Sequence, residues 1–202
     1  MQLLTGYDGA MNLANTLTIG RLVLAPVFFV LVFLPVWAGV FQVGSVALLW
    51  IIFAAIEISD AADGKIARSR DEVTDLGKVM DPFADVISRL TYFVAFTAIG
   101  IMPAWILLVI LYREYGIVFI RLLLIRKGVA LAARPGGKIK AVLYAVSGGA
   151  GIALITIERI GVLPQIFDGM FMFAQIVYVA AALFAIGSFV DYLVIFKQKL
   201  AA

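Results

Sequence analysis

Long apolar runs separated by short polar connections dominate this chain. Six runs reach or closely approach the about 20 residues that an α-helix needs to cross a bilayer. They cover residues 17–37, 43–62, 77–101, 104–125, 139–157 and 171–196. Period-two alternation over about 10 residues, the mark of a membrane β-strand, is not seen. The pattern predicts an all-α integral membrane protein, six transmembrane helices in a bundle, forming one domain over residues 1–202. Residues 7–14 are of mixed polarity and read as a short interfacial helix ahead of the first span. The opening stretch lacks the basic region that begins a signal peptide.

Composition sharpens this picture. Of 202 residues, 64% are hydrophobic and 14% charged, which a soluble domain of this size does not need. Cys and His are both absent, which removes thiol chemistry, imidazole bases and the usual zinc ligands. A net charge of +3 is too small to suggest a nucleic-acid partner, so the placement of the cations matters more than their sum. Lys65, Arg68, Arg70 and Lys78 lie between the second and third runs. Arg126, Lys127, Arg134 and Lys138 lie between the fourth and fifth, with Lys140 just inside the fifth, and Lys197 and Lys199 in the tail. The opposite connections carry only Arg159. The excess of cations on one side places both termini and the two basic connections in the cytoplasm.

The polar positions that remain are the unusual ones. Asp60 and Asp63 are three apart at the end of the second run, and Asp81 and Asp85 four apart near the start of the third. These spacings put each pair on one helix face, with Cβ atoms about 5–6 Å apart. If the two runs are antiparallel neighbours, both pairs meet at one cytoplasmic depth. Two like charges about 5 Å apart cost roughly 3 kcal/mol at an effective dielectric near 20. Two divalent ions would balance four carboxylates, and oxygen-only ligands suit magnesium or manganese. Such a pair of ions clamps phosphoryl oxygens. Gly64 leaves room beside Asp63, and Arg68 offers a fork for phosphate. Arg70, Asp71, Glu72 and Asp75 read instead as an ordinary solvated turn. Asp81 and Asp85 do not, because ionisable residues within an apolar helix mark function by default. Intramembrane carboxylates also mark ion paths, so a small divalent-cation transporter is a competing reading.

The spacing Asp60-x2-Asp63-Gly64-x2-Ala67-Arg68-x8-Gly77-x3-Asp81-x3-Asp85 resembles the signature of the CDP-alcohol phosphotransferases. The resemblance implies a six-helix fold that dimerises in the membrane, with a cavity open to the cytoplasm. It implies that Asp60, Asp63, Asp81 and Asp85 hold two divalent cations, Mg2+ or Mn2+, and that Asp85 is also the general base on the acceptor hydroxyl. Gly64, Ala67, Arg68 and Gly77 would line the cytidine diphosphate pocket. Three further stretches, NLANTLTIGRLVLAP (12–26), LGKVMDPFAD (76–85) and REYGIVFIR (113–121) with GGKIKA (136–141), resemble the phosphatidylglycerophosphate synthase branch. That branch implies CDP-diacylglycerol as donor, glycerol 3-phosphate as acceptor, CMP as product and a bacterial inner (cytoplasmic) membrane. Many of its members have Lys after the last Asp, where this chain has Val86, and often Thr where it has Ala141. Another acceptor, as in a phosphatidylinositol phosphate synthase, stays open.

A phosphorylated acceptor needs cations. Lys138 and Arg121 are candidate phosphate ligands, with Arg113 and Lys140 beside them. Arg113 and Arg89, the latter one turn beyond Asp85, are also expected to form ion pairs within the bundle, although Glu114, adjacent to Arg113, faces a different way on the helix and need not be its partner. Asn15 and Arg21 are secondary donor-site candidates. The plainer reading has Asn15 and Thr16 capping a helix and Arg21 snorkelling to the interface. Pro82 is expected to kink the third helix or mark its start. Gly148, Gly149 and Gly151 are expected to permit close helix packing.

Overall fold

The computed structural model describes the backbone of residues 13–69, 75–126, 135–161 and 164–201. Side chains at 13–14, 62–79, 81, 122, 125–138, 162–164 and 199–202 lie outside the described set. Six α-helices follow in order: α1 (Leu13–Ala38), α2 (Gln42–Ser69), α3 (Asp75–Ala98), α4 (Ala104–Arg126), α5 (Pro135–Ile160) and α6 (Phe167–Ala201). A 3-10 turn at Pro164–Ile166 leads into α6, and there is no strand among the described residues.

Among the described residues four helices are long and apolar enough to cross a membrane: Asn15–Ala38, Gln42–Ala61, Ile139–Ile160 and Phe167–Gln198. α3 and α4 have 24 and 23 residues but are interrupted by charge: Asp81, Asp85 and Arg89 in α3, and Arg113, Glu114 and Arg121 in α4. Several helices outrun their apolar runs. α2 continues to Ser69, and α6 to Ala201. Backbone hydrogen bonding carries a helix past its hydrophobic stretch into polar residues, which an apolar pattern does not register. Pro82 lies inside α3, seven residues past its first residue, so it does not mark the start. Of the expected interfacial segment, residues 7–12 lie outside the described residues.

The apolar-side connections close with left-handed residues. Gly100 (φ 83°) ends α3: its N–H donates to Thr97 O at 3.1 Å, and that of Ile101 donates to Phe96 O at 3.0 Å. This pair of bonds is the Schellman arrangement, which satisfies carbonyls the helix end would otherwise leave unpaired. Proline at 103 then sits one residue before α4.

The chain forms two compact units, residues 1–95 and 96–202. In the first, α1 packs along α2. Tyr92 of α3 is buried against Phe28 of α1 and Phe53 of α2, with ring centroids 6.2 and 5.7 Å away in edge contacts. Aromatic edge contacts of this kind add to area burial, and they seat the third helix on the other two. In the second unit, α4 and α5 both pack on α6. The buried stripe Ala174, Tyr178, Ala181, Ala185 recurs at helical spacing along α6, and its small residues let helices approach. Gly151 faces the ring of Phe96 and Gly116 the ring of Phe189, whereas Gly149 faces open space. The expected close packing in α5 therefore holds at Gly151 and not at Gly149. Outward faces stay apolar: Val23, Val27, Ile51, Leu108, Met172 and Leu183 are all exposed, as lipid-facing positions should be.

Candidate active site

Asp60 sits near the polar end of α2, where that helix leaves its apolar run, and Asp85 lies one turn before Arg89 on α3. The Arg89 guanidinium joins them. Its Nη2 donates to Asp60 Oδ2 at 2.7 Å, and its Nη1 meets Asp85 Oδ1 at 2.6 Å. From α1, Arg21 Nη1 donates to Asp60 Oδ1 at 2.7 Å. Glu57, one turn before Asp60, lies 3.9 Å from Arg89 Nη2 and accepts a long 3.4 Å bond from the Tyr92 hydroxyl. Three helices thus converge on one cluster of carboxylates and guanidinia.

Burial divides the cluster. Arg21 is 1% exposed and Arg89 6%, whereas the side chains of Asp60 and Asp85 are 29% and 26% exposed. The cations lie behind and the acids in front. Removing charges from water is expensive unless they are paired and hydrogen-bonded, and the two bonds to Asp60 are short and charge-assisted. The expected ion pairing of Arg89 is present. Arg21 does not snorkel: it is buried and bonded to Asp60, because a carboxylate within the bundle is a nearer partner than the interface. Asn15 and Thr18 are buried too, inside α1, so Asn15 is not a cap.

α2 and α3 also carry Asp63, Gly64, Ala67, Arg68, Gly77 and Asp81, whose side chains lie outside the described residues. Among the described residues no group of three or more ligating side chains is gathered for a metal. The chemistry of those present fits a hard divalent ion. Asp60 and Asp85 offer only oxygen, approach one guanidinium from two helices, and are partly open on their outer side. Asp63 and Asp81 would complete such a set.

The second unit holds a separate buried network. Glu114 Oε1 and Oε2 accept from Arg113 Nη1 at 3.0 and 2.9 Å, and Oε1 also accepts from Lys140 Nζ at 2.9 Å. Arg113 Nε adds a bond to Ser188 Oγ at 3.2 Å, and Lys140 Nζ lies 4.8 Å from the centre of the Tyr144 ring. All three charged residues are buried. Glu114, which by helix direction need not have been Arg113's partner, is its partner here. Helix projection separates neighbouring Cα–Cβ directions, but two long side chains curl back to meet where neither has water. Among the described residues Arg121, half-buried, reaches the Tyr192 hydroxyl alone, at 3.4 Å, and its buried Nε has no hydrogen-bond partner there. Lys138 lies outside the described side chains.

Sequence reasoning did not single out Glu57, Tyr92, Ser188 or Tyr192. Glu57 had a signal: it is an acid within an apolar run, one turn from Asp60 on the same face. The other three are polar residues common in any bundle, and only packing distinguishes them.

The family model for CDP-alcohol phosphatidyltransferase matches residues 11–158. The chain belongs to the CDP-alcohol phosphatidyltransferase family. It is 35% identical over 185 residues to a Mycobacterium tuberculosis protein named "Probable phosphatidylglycerophosphate synthase", covering 87% of this chain and 84% of that one. It is 34% identical over 196 residues to a Treponema pallidum CDP-diacylglycerol–glycerol-3-phosphate 3-phosphatidyltransferase, covering 91% and 88%. A Streptomyces coelicolor cardiolipin synthase (CMP-forming) is 36% identical over 107 residues, about half of each chain at 53% and 48%. The matched region of this phosphatidyltransferase includes Arg21, Glu57, all four motif aspartates, Arg89 and the charged triad Arg113, Glu114 and Lys140.

Proposed function

We propose that this protein transfers the phosphatidyl group of CDP-diacylglycerol to glycerol 3-phosphate, forming phosphatidylglycerophosphate and releasing CMP. The observation that carries the reading is the complete eight-position motif, two of whose aspartates, Asp60 and Asp85, are held on one guanidinium. Near-full-length relatives with this activity in their names support the choice of substrates.

Asp60, Asp63, Asp81 and Asp85 are the proposed holders of two divalent cations, Mg2+ or Mn2+, which when bound supply charge for the diphosphate and the departing CMP. Asp85 takes the proton of the acceptor hydroxyl, and the oxygen then attacks the phosphorus of the phosphatidyl group as the bond to CMP breaks. Gly64, Ala67, Arg68 and Gly77 surround the donor's cytidine diphosphate. Asn15 and Arg21 support that side, Arg21 through its bond to Asp60. Arg121 and Lys138 are proposed to take the acceptor's phosphate. Arg113 and Lys140, already bound to Glu114, act beside them.

The same reading makes the chain one functional domain of six membrane spans, with both termini cytoplasmic, in a bacterial inner membrane and as a homodimer. α3 and α4 can cross although charged, because Arg89 meets Asp60 and Asp85, and Glu114 meets Arg113 and Lys140.

The test is CMP release by purified protein with magnesium, CDP-diacylglycerol and a panel of alcohols. Release with glycerol 3-phosphate is expected, and Asp85→Asn should abolish it while the donor still binds. Release only with phosphatidylglycerol would move the protein to the cardiolipin synthases, one of which is similar over about half of this chain. No release with any acceptor, together with metal flux into vesicles, would favour a cation transporter.

A further inference from the structure

The motif explains why Asp60 and Asp85 are present, but not what sets the distance between them. They stand on different helices and carry like charge, so left alone they would separate. The side chain that faces both is Arg89, which lies outside the eight motif positions. We propose that Arg89 is a positioning residue: its guanidinium ties Asp60 on α2 to Asp85 on α3 and holds the two carboxylates at a set spacing. The proposal concerns the site assigned above and rests on that reading.

Three observations carry it. The two contacts leave from different nitrogens, a hydrogen bond from Nη2 to Asp60 at 2.7 Å and an ion-pair contact from Nη1 to Asp85 at 2.6 Å, so the planar fork itself spans the gap. A lysine ammonium is a point charge and cannot reproduce that span. Second, Arg89 is 6% exposed while the acids it holds are about a quarter exposed, so it supports them from behind. A substrate phosphate would have to displace two carboxylates to reach it. Third, Arg89 is itself anchored. Tyr92, one turn further along α3, is locked between Phe28 and Phe53, and Glu57 flanks the guanidinium at 3.9 Å. Rigid support behind ligating groups is what keeps a metal site in productive geometry.

The experiment uses full-length Arg89→Lys and Arg89→Gln in the same detergent as the wild type, with circular dichroism and gel filtration as checks of folding. Mn2+ binding is followed by calorimetry and by the spin-resonance signal of the free ion. Groups that hold metal ligands change affinity by about 10–100-fold when altered. Both variants are therefore expected to bind Mn2+ ten- to a hundredfold more weakly, and kcat to fall by a similar factor, with KM for CDP-diacylglycerol within about threefold of wild type. Lysine should not rescue. Wild-type Mn2+ affinity in the variants overturns the proposal, as does full kcat in Arg89→Lys. A tenfold rise in donor KM at unchanged kcat makes Arg89 a substrate ligand instead. Loss of folded protein in both variants assigns it to the fold alone and also overturns the proposal. If the wild type binds Mn2+ but transfers no phosphatidyl group, the functional reading fails while the Mn2+ arm still decides the role of Arg89.

Discussion

Replacing Glu114 with Gln should destabilise the protein more than any substitution at an exposed charge. The side chain is 5% exposed and is the common acceptor for two buried cations, through contacts of 2.9–3.0 Å to Arg113 and 2.9 Å to Lys140. Gln keeps the shape and one acceptor oxygen but removes the negative charge. Arg113 and Lys140 are then left facing each other in an apolar bundle. Removing one partner of a buried ion pair typically costs about 3–5 kcal/mol. For a chain of this length that corresponds to a midpoint lower by roughly 6–20 °C. The assay is thermal unfolding in a fixed detergent, followed by tryptophan fluorescence and circular dichroism. The double variant Glu114→Gln, Lys140→Met should recover part of the loss, because it removes one of the stranded cations. A loss below about 1 kcal/mol, or a double variant whose losses simply add, would refute the view that the triad is energetically coupled.

Other consequences are open to the same kind of measurement. Gly151→Val should cost about 1–3 kcal/mol because its side chain meets the Phe96 ring, whereas Gly149→Ala, facing open space, should be neutral or stabilising by up to about 1 kcal/mol. Arg121→Gln should raise KM for glycerol 3-phosphate at least tenfold with little change for the donor, since charge-assisted bonds contribute about 1.5–3 kcal/mol. An unchanged acceptor KM would remove Arg121 from the phosphate site. Wild-type protein in chelator should keep its fold and melt within a few degrees of the magnesium-loaded form, because Arg21 and Arg89 already offset Asp60 and Asp85. Unfolding on chelation would show that those arginines do not suffice.

Much of the fold and half of the site were legible without coordinates. The apolar runs located each of the six α-helices among the described residues, because a helix that buries its surface carries a long run of apolar side chains. The motif aspartates stood out because a carboxylate in an apolar helix is costly enough to need a reason. Helix ends were less legible. α2 runs seven residues past its apolar stretch, since charged residues continue a helix as well as apolar ones. Sequence reasoning balanced the acids with bound metal alone, and the structure adds two arginines, from α1 and α3, at Asp60 and Asp85. Arg21 and Asp60 are 39 residues apart in the chain, a pairing that no periodicity encodes.

By itself, then, the sequence determined the class of protein, the helices and the four aspartates, all of which follow from local composition and spacing. Only the tertiary structure decided which cation meets which acid. Arg21 and Arg89 behind Asp60, and Arg113 and Lys140 around Glu114, are choices made by helix packing. The reason is electrostatic: where burial limits water, a charged side chain takes whichever opposite charge the fold brings within reach, and reach is a property of three dimensions.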